Sequence, residues 1–379
     1  MYRPVILMGN GCRSNPALVK HLCGLGVPVM TTWMGCDFVP EDSPVFVGRP
    51  GILGQRAANI IQQKATHLYC FGARLDGEQV AYNYDGFAPD AERIVAYDVD
   101  PCETRKLPNE YRWWKNTINV NDYSWKYWEP KEAIDPCWLS WCKDLYARFR
   151  PELEGPATCG KHVDPFAFMR VLSDTLRSDD MIALGSSGAA PCSFFQTFKV
   201  KAGQRISNVS TIGAMGADIP MAIGAAIASG RRTICVTGDG GFMLNSQELE
   251  TARRLALPIT FFVFNNGGYG SIRSMQDNRF DGRRVGCDVK SGLTLPGLED
   301  LAYAYRINYS RMTGADLDSL PGLLGGLPRI VEVMVDPAWA QYPRVMASMQ
   351  GGEYKIDAMQ DMTPKLDPDE LKAIMEWDG

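Results

Sequence analysis

The chain has 379 residues, of which 45% are hydrophobic and 22% charged, and its formal net charge is −5 at pH 7. This length predicts two or three domains, and the composition is that of an ordinary soluble globular protein. The acidic balance argues against a nucleic-acid-binding protein, and no apolar stretch reaches the length of a membrane span. The N-terminus lacks the basic-then-apolar layout of a signal peptide, so we expect a cytoplasmic protein.

Alternating apolar runs and helical patterns fill the first part of the chain. The runs at 5–8, 27–31, 68–71 and 94–98 predict strands, and the stretches at 16–25 and 56–64 predict helices. This alternation indicates a parallel sheet with helices on its faces, the doubly wound α/β arrangement. We therefore assign residues 1–150 to a first α/β domain.

Six of the nine tryptophans lie between residues 111 and 142. Such clustering can serve nucleic-acid stacking or a partner surface, but no basic residues are interleaved with it. We favour an amphipathic helix that packs between domains, because large exposed apolar patches are rare. Residues 151–163 follow as a polar linker that contains two prolines.

A second α/β domain is predicted over residues 164–337, followed by a C-terminal tail at 338–379. Its most informative stretches are Thr233-Ile-Cys-Val-Thr-Gly-Asp-Gly-Gly-Phe242 and Thr260-Phe-Phe-Val-Phe-Asn-Asn-Gly-Gly-Tyr269. Each is a β-branched and aromatic run that ends in small or oxygen-bearing residues, which is typical of a buried parallel strand that meets a ligand crevice. A predicted helix at 246–255 joins them.

Asp239 and Asn266, at the ends of these two strands, are the ligand types that a hard divalent cation needs. Mg²⁺ prefers about six oxygen ligands and keeps phosphate oxygens among them. One carboxylate, one amide oxygen and a backbone carbonyl such as that of Gly268 leave room for two phosphate oxygens and a water. Gly240 and Gly241 let the backbone approach a diphosphate, and the helix start beside them offers free N–H groups. Gly-Asp-Gly alone fits an ordinary turn, but its place between two strands and before Asn-Asn favours a magnesium–diphosphate site.

At these residues the chain resembles the thiamine-diphosphate (ThDP) enzymes of the acetolactate synthase and pyruvate oxidase type. Their signature is Gly-Asp-Gly, a spacer of this length and Asn-Asn. The resemblance implies two doubly wound parallel-sheet domains, a central domain and a diphosphate-binding domain. It also implies that Asp239, Asn266 and the Gly268 carbonyl hold Mg²⁺, which holds the diphosphate of the cofactor. The further cofactor-binding residues that it implies here are Gly240, Gly241, Tyr269 and Gly270.

A second matching segment is Ile212-Gly-Ala-Met-Gly-Ala-Asp-Ile-Pro-Met-Ala-Ile-Gly224. In the family, the hydrophobic residue at the position of Met215 wedges between the two rings of the cofactor and bends it into a V. The carbonyl at the position of Gly213 accepts a hydrogen bond from the aminopyrimidine. Ordinary core filling is the alternative for Met215, since methionine commonly fills gaps, but the neighbouring motif favours the wedge.

Weaker matches extend the resemblance to most of the chain. The turn after the apolar run 181–184 implies diphosphate contacts by Ser187 and Gly188, although a plain strand-to-helix turn fits nearly as well. In the first domain, the segments that match the family's FAD or ADP loops are 47–59, 71–76 and 96–101. FAD or ADP is therefore a candidate second cofactor, but Leu53 stands where FAD-binding members often carry histidine, which argues against FAD. The tail resembles the family's C-terminal segment, which folds near the cofactor.

The resemblance does not cover the family's whole architecture. Enzymes of this type have three domains, and the first carries the glutamate that protonates the aminopyrimidine and so generates the reactive carbanion. Glu41, Glu78 and Glu92 fall in predicted loops of the central domain, so we expect no catalytic glutamate in this chain. A separate pyrimidine-domain chain of about 150–200 residues would supply it, in a heterotetramer with two copies of each chain. A truncated sequence is the competing explanation.

These matches imply a subunit of a split decarboxylase or carboligase that acts on a 2-oxo acid such as pyruvate. Acetolactate synthases usually carry methionine at the position of Ser271 and tryptophan at that of Met275, so another acceptor, such as a larger sugar or aldehyde, is favoured. A non-catalytic ThDP-binding or regulatory module is the alternative. A nucleotide-binding dehydrogenase is disfavoured, because the chain lacks a full Gly-x-Gly-x-x-Gly and a catalytic histidine. Zinc is equally disfavoured, since the eleven cysteines are scattered without any Cys-x-x-Cys.

Overall fold

The chain folds into two compact units, Met1–Glu154 with Tyr342–Gly379, and Gly155–Gln341. The structure is a computed structural model and describes residues 1–110, 112–117, 128–150, 160–209, 212–350 and 353–379. Residues 151–159 of the predicted linker lie outside the described residues. Both units are α/β folds built on parallel sheets, as the sequence predicts.

Five parallel strands form the sheet of the first unit, in the order β2-β1-β3-β4-β5. They are β1 (Pro4–Met8), β2 (Val29–Thr31), β3 (His67–Phe71), β4 (Arg93–Asp98) and β5 (Trp113–Thr117). The helices are α1 (Pro16–Cys23), α2 (Arg56–Lys64), α3 (Pro101–Arg105) and α4 (Trp138–Arg148), with 3-10 turns at Asn10–Ser14 and Trp33–Gly35. The chain leaves β1 on one side for β2 and continues on the other side into β3, which is the strand order of a doubly wound sheet.

The ends of helix α1 follow directly from local sequence. The side chain of Asn15 accepts a hydrogen bond from the amide of Leu18 at 3.0 Å, and Pro16 occupies the first helical position, where no N–H is needed. The helix ends at Cys23, two residues earlier than predicted. The cause is the Gly-x-Gly that follows, in which Gly26 takes a left-handed φ of 70°.

Six parallel strands form the sheet of the second unit, in the order β10-β11-β9-β8-β6-β7. They are β6 (Met181–Leu184), β7 (Arg205–Ser207), β8 (Thr233–Gly238), β9 (Ile259–Asn265), β10 (Asn308–Met312) and β11 (Arg329–Met334). The helices are α5 (Pro165–Thr175), α6 (Ala189–Thr197), α7 (Asp218–Ser229), α8 (Asp239–Met243), α9 (Leu249–Arg254), α10 (Gly270–Arg279) and α11 (Leu298–Tyr305). The 3-10 turns are Ser246–Glu248, Val289–Ser291 and Gly314–Leu323.

The connection between β8 and β9 differs from the single helix predicted at 246–255. A short helix, α8, begins at Asp239 itself, and the predicted stretch is a 3-10 turn followed by α9. Gly240 and Gly241 do not prevent this extra helical turn, because Asp239 anchors it by accepting the Gly240 amide at 2.8 Å. The strand ends on either side are nevertheless where the sequence predicts them.

The C-terminal segment from Tyr342 packs on the first unit. It contains the antiparallel hairpin β12 (Ala347–Gln350) and β13 (Glu353–Ile356), and helix α12 (Pro368–Met375). It also gives the buried polar side chains of α2 their partners, because Arg56 donates to the carbonyl of Met362 at 3.1 Å and Lys64 donates to that of Met375 at 2.6 Å. The placement of this segment near a cofactor stays a prediction.

The tryptophan-rich stretch is not the single helix between domains that we predicted. Trp113 lies on strand β5, which extends the first sheet beside β4. Trp138 and Trp141 open helix α4 and stack on Trp377 at centroid distances of 5.8 and 4.7 Å. Residues 118–127 of the stretch lie outside the described residues. All the described tryptophans of the stretch except the half-exposed Trp114 therefore serve the core of the first unit, where burial of large aromatic surface stabilises the fold.

Two kinds of feature are absent from the described ranges. No helix there is both long and apolar enough to cross a membrane, and the cytoplasmic location stays a prediction. No group of three histidine, cysteine, aspartate or glutamate side chains within that part of the chain could hold a metal ion. The proposed magnesium site is of a different kind, because it consists of one carboxylate, one amide oxygen and one backbone carbonyl.

Candidate functional site

A cleft opens in the second unit at the carboxyl ends of β6, β8 and β9. The strand order reverses between β6 and β8, because the chain turns outward from β6 to β7 and then crosses back to β8. Loops that diverge at such a reversal leave a crevice, which is where α/β proteins bind ligands. Its volume is about 640 Å³ with the open side included.

The cleft collects every predicted cofactor residue except Gly213. Those that line it are Ser187, Gly188, Met215, Asp239, Gly240, Gly241, Asn266, Gly268, Tyr269 and Gly270. The amide of Gly213 donates to the carbonyl of Val209 at 2.9 Å, and residues 210–211 between them lie outside the described residues. The role of each of these residues in cofactor binding stays a prediction.

Asp239 is the most constrained of these side chains. It directly follows the buried strand β8, and 4% of the residue is exposed. Its two carboxylate oxygens accept hydrogen bonds from the amides of Gly240 at 2.8 Å and Gly268 at 2.9 Å. The second bond crosses from the loop after β8 to the loop after β9, so it fixes the carboxylate at the point where the two loops meet.

Burial raises the pKa of Asp239 from its ordinary value of 3.8 to about 6, and the surrounding loop amides, led by that of Gly268, oppose the shift. Desolvation penalises the ionised form, and the amides only partly compensate it. A divalent cation beside the carboxylate would favour the ionised form again. The position of Asp239 is therefore costly for a bare carboxylate and suitable for a metal ligand.

Replacing Asp239 by asparagine should stabilise the metal-free protein at about pH 7.5. The folded state has the higher pKa, so the wild type loses stability as pH rises from 3.8 to about 6. A rise of about two pKa units corresponds to at most about 3 kcal/mol. Urea denaturation in a chelator should show about a third of the difference between the variants at about pH 4.5, which already lies above the unfolded pKa, and the full difference at about pH 7.5. An equal difference at both pH values would contradict this explanation.

Asn266 follows strand β9 and has an unpaired side-chain oxygen. Its side-chain oxygen Oδ1 is buried and has no hydrogen-bond partner among the described residues. Leaving such an oxygen unpaired costs about 1–3 kcal/mol, so it marks the place of a water or ion. The nearby Gly268 carbonyl accepts from the amide of Gly270 at 3.1 Å, which leaves it a second lone pair. Both oxygens are free to ligate a cation.

The loop that carries these oxygens is held from two sides. A Cβ placed on Gly268, where φ is 130°, would lie 2.4 Å from the carbonyl oxygen of Cys287, and the amide of Tyr269 donates to that same oxygen at 2.9 Å. On the other side, the buried Arg273 donates to the carbonyl of Asn266 at 3.3 Å. Only glycine at 268 allows this close approach.

Met215 stands at the cleft and not in the core. It is 39% exposed, so core filling does not explain it. Its terminal methyl lies 3.7 Å from the position that a Cβ on Gly240 would take, and the ring of Tyr269 lies 2.4 Å from that same position. This placement favours the predicted wedge, whose role in bending a cofactor stays a prediction.

The charges in the cleft favour a metal-bound anion over a free one. Two buried carboxylates line it, Asp239 and Asp218, and the described lining residues include no lysine, arginine or histidine. Burial also raises the pKa of Asp218, with the hydroxyl of Thr237 opposing the shift. A diphosphate would add negative charge to this low-dielectric site, so its binding needs a divalent cation.

Sequence reasoning missed Asp218 and Thr237. The hydroxyl of Thr237 donates a hydrogen bond to Asp218, and both residues line the cleft. An available signal was the single carboxylate in the otherwise small and apolar stretch 212–224. Its partner on β8 could not be identified from spacing, since the two residues belong to different elements.

In the described part of the first unit, the loops at the strand reversal leave no open crevice between them. At its strand reversal, the loops after β1 and β3 touch, because the amide of Gly11 donates to the Gly72 carbonyl at 3.0 Å and a Cβ on Gly9 would lie 2.3 Å from the Cα of Ala73. A neighbouring crevice of about 210 Å³, which Arg74 lines, is smaller than usual ligand sites. These loops do not fit a dinucleotide at the reversal, and FAD or ADP binding stays a prediction that this geometry disfavours.

Comparison with known proteins gives matches in both units. The profile for the central domain of thiamine pyrophosphate enzymes matches residues 2–115. The profile for the C-terminal TPP binding domain of the same enzymes matches residues 186–320. The second match includes every residue that lines the cleft except Gly185.

Similar proteins include several acetolactate synthases. The acetolactate synthase isozyme 2 large subunit of Escherichia coli (strain K12) is 27% identical over 93% of this chain and 63% of its own length. A probable acetolactate synthase large subunit of Methanocaldococcus jannaschii is 28% identical over 89% of this chain and 58% of its own length. Acetolactate synthase 2, chloroplastic, of Zea mays is 30% identical over 75% and 44%. The chain thus spans less than two thirds of the length of these relatives.

Proposed function

We infer, since this chain belongs to the thiamine pyrophosphate enzyme family, that its cleft holds the magnesium–diphosphate half of ThDP. The proposed activity is that of a 2-oxo acid decarboxylase or carboligase related to acetolactate synthase. A partner chain would supply the pyrimidine side and the catalytic glutamate. The likeness to acetolactate synthases supports the reaction class; donor and acceptor are part of the proposal.

One observation carries the metal assignment. Asn266, whose side-chain oxygen is buried and unpaired, lines the same cleft as the buried Asp239, and the Asp239 carboxylate is bonded to the amide of Gly268. Carboxylate, amide and carbonyl oxygens are the ligands that Mg²⁺ prefers, and the cleft needs positive charge. The residues present therefore fit the Mg²⁺ and the diphosphate that the family implies.

Each chain segment contributes one function in this proposal. Asp239, Asn266 and Gly268 hold the metal, and Gly240 with Gly241 lets the backbone approach the phosphates. Met215 bends the cofactor and so orients its reactive end. When bound, ThDP supplies the carbon nucleophile that attacks a 2-oxo acid, and the protein provides binding and orientation.

We propose that a partner covers the open side of the cleft. Apolar side chains near the cleft are strongly exposed, with Ile212 at 83%, Leu244 at 50% and Ile272 at 42%. Exposed apolar residues around a polar site are typical of a surface that another protein buries. No glutamate occurs among the described lining residues, which supports a donor in another chain. A heterotetramer with two copies of each chain is the assembly that twofold symmetry favours.

The wall of the cleft also supports the proposal of an acceptor other than that of acetolactate formation. Ser271 lines the cleft, and its hydroxyl accepts a hydrogen bond from the side chain of Gln341 at 3.2 Å. The Ser271 proton therefore remains available to a ligand. A polar acceptor, such as a hydroxylated aldehyde or sugar, suits this wall.

A non-catalytic ThDP-binding or regulatory module remains the second candidate, and reconstitution distinguishes it from an enzyme. The chain is mixed with a pyrimidine-domain chain of the same source, ThDP and Mg²⁺, and CO₂ release is followed with pyruvate and other 2-oxo acids. The proposed enzyme consumes at least one of them only when both chains are present. ThDP binding without turnover of any acid would favour the regulatory module, and turnover by this chain alone would contradict the split enzyme.

A further inference from the structure

We propose that the buried pair Asp218–Thr237 is a positioning pair that sets where Met215 stands relative to the Asp239 anchor. The inference rests on the proposed function only for the meaning of Met215 as a wedge. The geometric part of the inference is that this pair holds residues 213–217, the Met215 segment, in place. It concerns the protein without any cofactor. Neither residue is catalytic in this proposal.

The pair joins two different elements of the second unit. Asp218 is the first residue of helix α7 and is 1% exposed, and Thr237 lies two residues before Asp239 on strand β8. One carboxylate oxygen accepts the Thr237 hydroxyl, and the other accepts the amide of Ile219 at 2.9 Å. Hydrogen bonds to a carboxylate are stronger than neutral ones, so this pair is a firm connection between α7 and β8.

A second connection is made at Gly216, directly after Met215 in the chain. The side chain of Asn245, just beyond α8, donates to the carbonyl of Gly216 at 2.8 Å. A Cβ on Gly216 would lie 2.8 Å from the Cβ of Leu244, and a Cβ on Gly241 would lie 3.3 Å from the Asp218 carboxylate. The segment and helix α8 therefore pack together without spare room.

Met215 depends on these connections because it is not one of the buried core residues in the described part of the chain. Its side chain is partly exposed, and its methyl reaches toward Gly240, one residue from the Asp239 anchor. Gly216, the residue after Met215, is bound to Asn245, and Asp218 is bound to Thr237. The metal anchor and the wedge are thus tied to one strand end, so their separation is fixed before any cofactor binds.

Thr237→Val and Thr237→Ser form the matched pair that tests this inference. Valine keeps the shape of threonine and removes the hydroxyl, whereas serine keeps the hydroxyl. Amide hydrogen exchange is measured on the metal-free and cofactor-free protein. Valine should speed exchange at residues 213–217 about tenfold, with the other strands of the sheet unchanged, and serine should stay within about twofold of wild type. Unchanged exchange in the valine variant, or an equal rise throughout the unit, would overturn the inference.

A double-mutant cycle shows whether the two residues act together. The double variant Asp218→Ala, Thr237→Val should match Asp218→Ala alone in exchange at residues 213–217, because the bond between the two residues is already broken in the single variant. Asp218→Ala also removes the acceptor of the Ile219 amide, so the comparison is made with Asp218→Ala and not with Thr237→Val. Additive effects would mean that the residues act independently and would contradict the pair.

Calorimetry with ThDP and Mg²⁺ separates this inference from the proposed function. We expect Thr237→Val to change the Kd less than about threefold, because the metal ligands are intact, while it lowers kcat of the reconstituted enzyme about tenfold. A wild-type protein that binds no ThDP even with the pyrimidine-domain chain present would refute the proposed function and leave the exchange result standing. Normal binding and normal kcat in the valine variant would refute the positioning role alone.

Discussion

Asp239→Ala is expected to weaken binding of magnesium–ThDP at least about 100-fold. Mutation of residues that only support a metal ligand already lowers affinity by up to about 100-fold, and Asp239 is itself a proposed ligand. The carboxylate is the one charged metal ligand in the proposed set, and its loop amides would lose their acceptor as well. Calorimetric titration of ThDP in excess Mg²⁺ measures the change. Glu299→Gln is the matched control, because Glu299 is an exposed carboxylate on α11 in the same unit and away from the cleft lining.

Asp239→Asn sharpens this result. Asparagine keeps the size of the side chain and one oxygen ligand, so it separates loss of charge from loss of shape. We expect affinity between those of wild type and the alanine variant, together with the gain in metal-free stability predicted above. Wild-type affinity in both Asp239 variants would contradict the metal assignment.

Gly268→Ala should destabilise the metal-free protein by about 3 kcal/mol and abolish cofactor binding. The new Cβ would lie 2.4 Å from the carbonyl oxygen of Cys287, at a φ of 130° that side-chain-bearing residues rarely adopt. Backbone lies on both sides of this contact, so the loop must move and take the neighbouring Asn266 oxygen with it. Urea denaturation and ThDP calorimetry measure the two effects.

Gly267→Ala is the control beside it. Gly267 has a φ of 75°, and a Cβ there meets nothing within 4 Å. Alanine should therefore cost only about 1 kcal/mol, the strain of a left-handed conformation, and leave ThDP binding measurable. Equal destabilisation by the two substitutions would show that conformation alone matters, and that the close approach to Cys287 does not shape the site.

The strands of the cleft were predictable because their sequence pattern is typical of buried parallel strands. Buried parallel strands are continuous apolar runs, and β8 and β9 are such runs that stop at Asp239 and Asn266. Sequential strands of a parallel sheet commonly lie side by side, so their ends meet. That reasoning places the two oxygen ligands together without any knowledge of tertiary contacts.

What escaped prediction depends on contacts between distant elements. The hydrogen bond from Thr237 to Asp218 connects a strand with a helix that precedes it in the chain, and no periodicity encodes it. The approach of Cys287 to Gly268 is another such contact, made by a loop without regular pattern. Likewise, the hydrogen bonds of the buried polar side chains of α2 to the C-terminal segment join residues about 300 positions apart, and no local pattern encodes them.

A crystal structure of the protein with ThDP and Mn²⁺, in which anomalous scattering locates the metal, tests the central claim most directly. The prediction is one metal ion about 2.2 Å from an Asp239 carboxylate oxygen, the Asn266 Oδ1 atom and the Gly268 carbonyl, with the diphosphate completing its shell. A metal and diphosphate bound elsewhere, or a cleft that stays empty at saturating ThDP and Mn²⁺ even in the complex with the pyrimidine-domain chain, would contradict it.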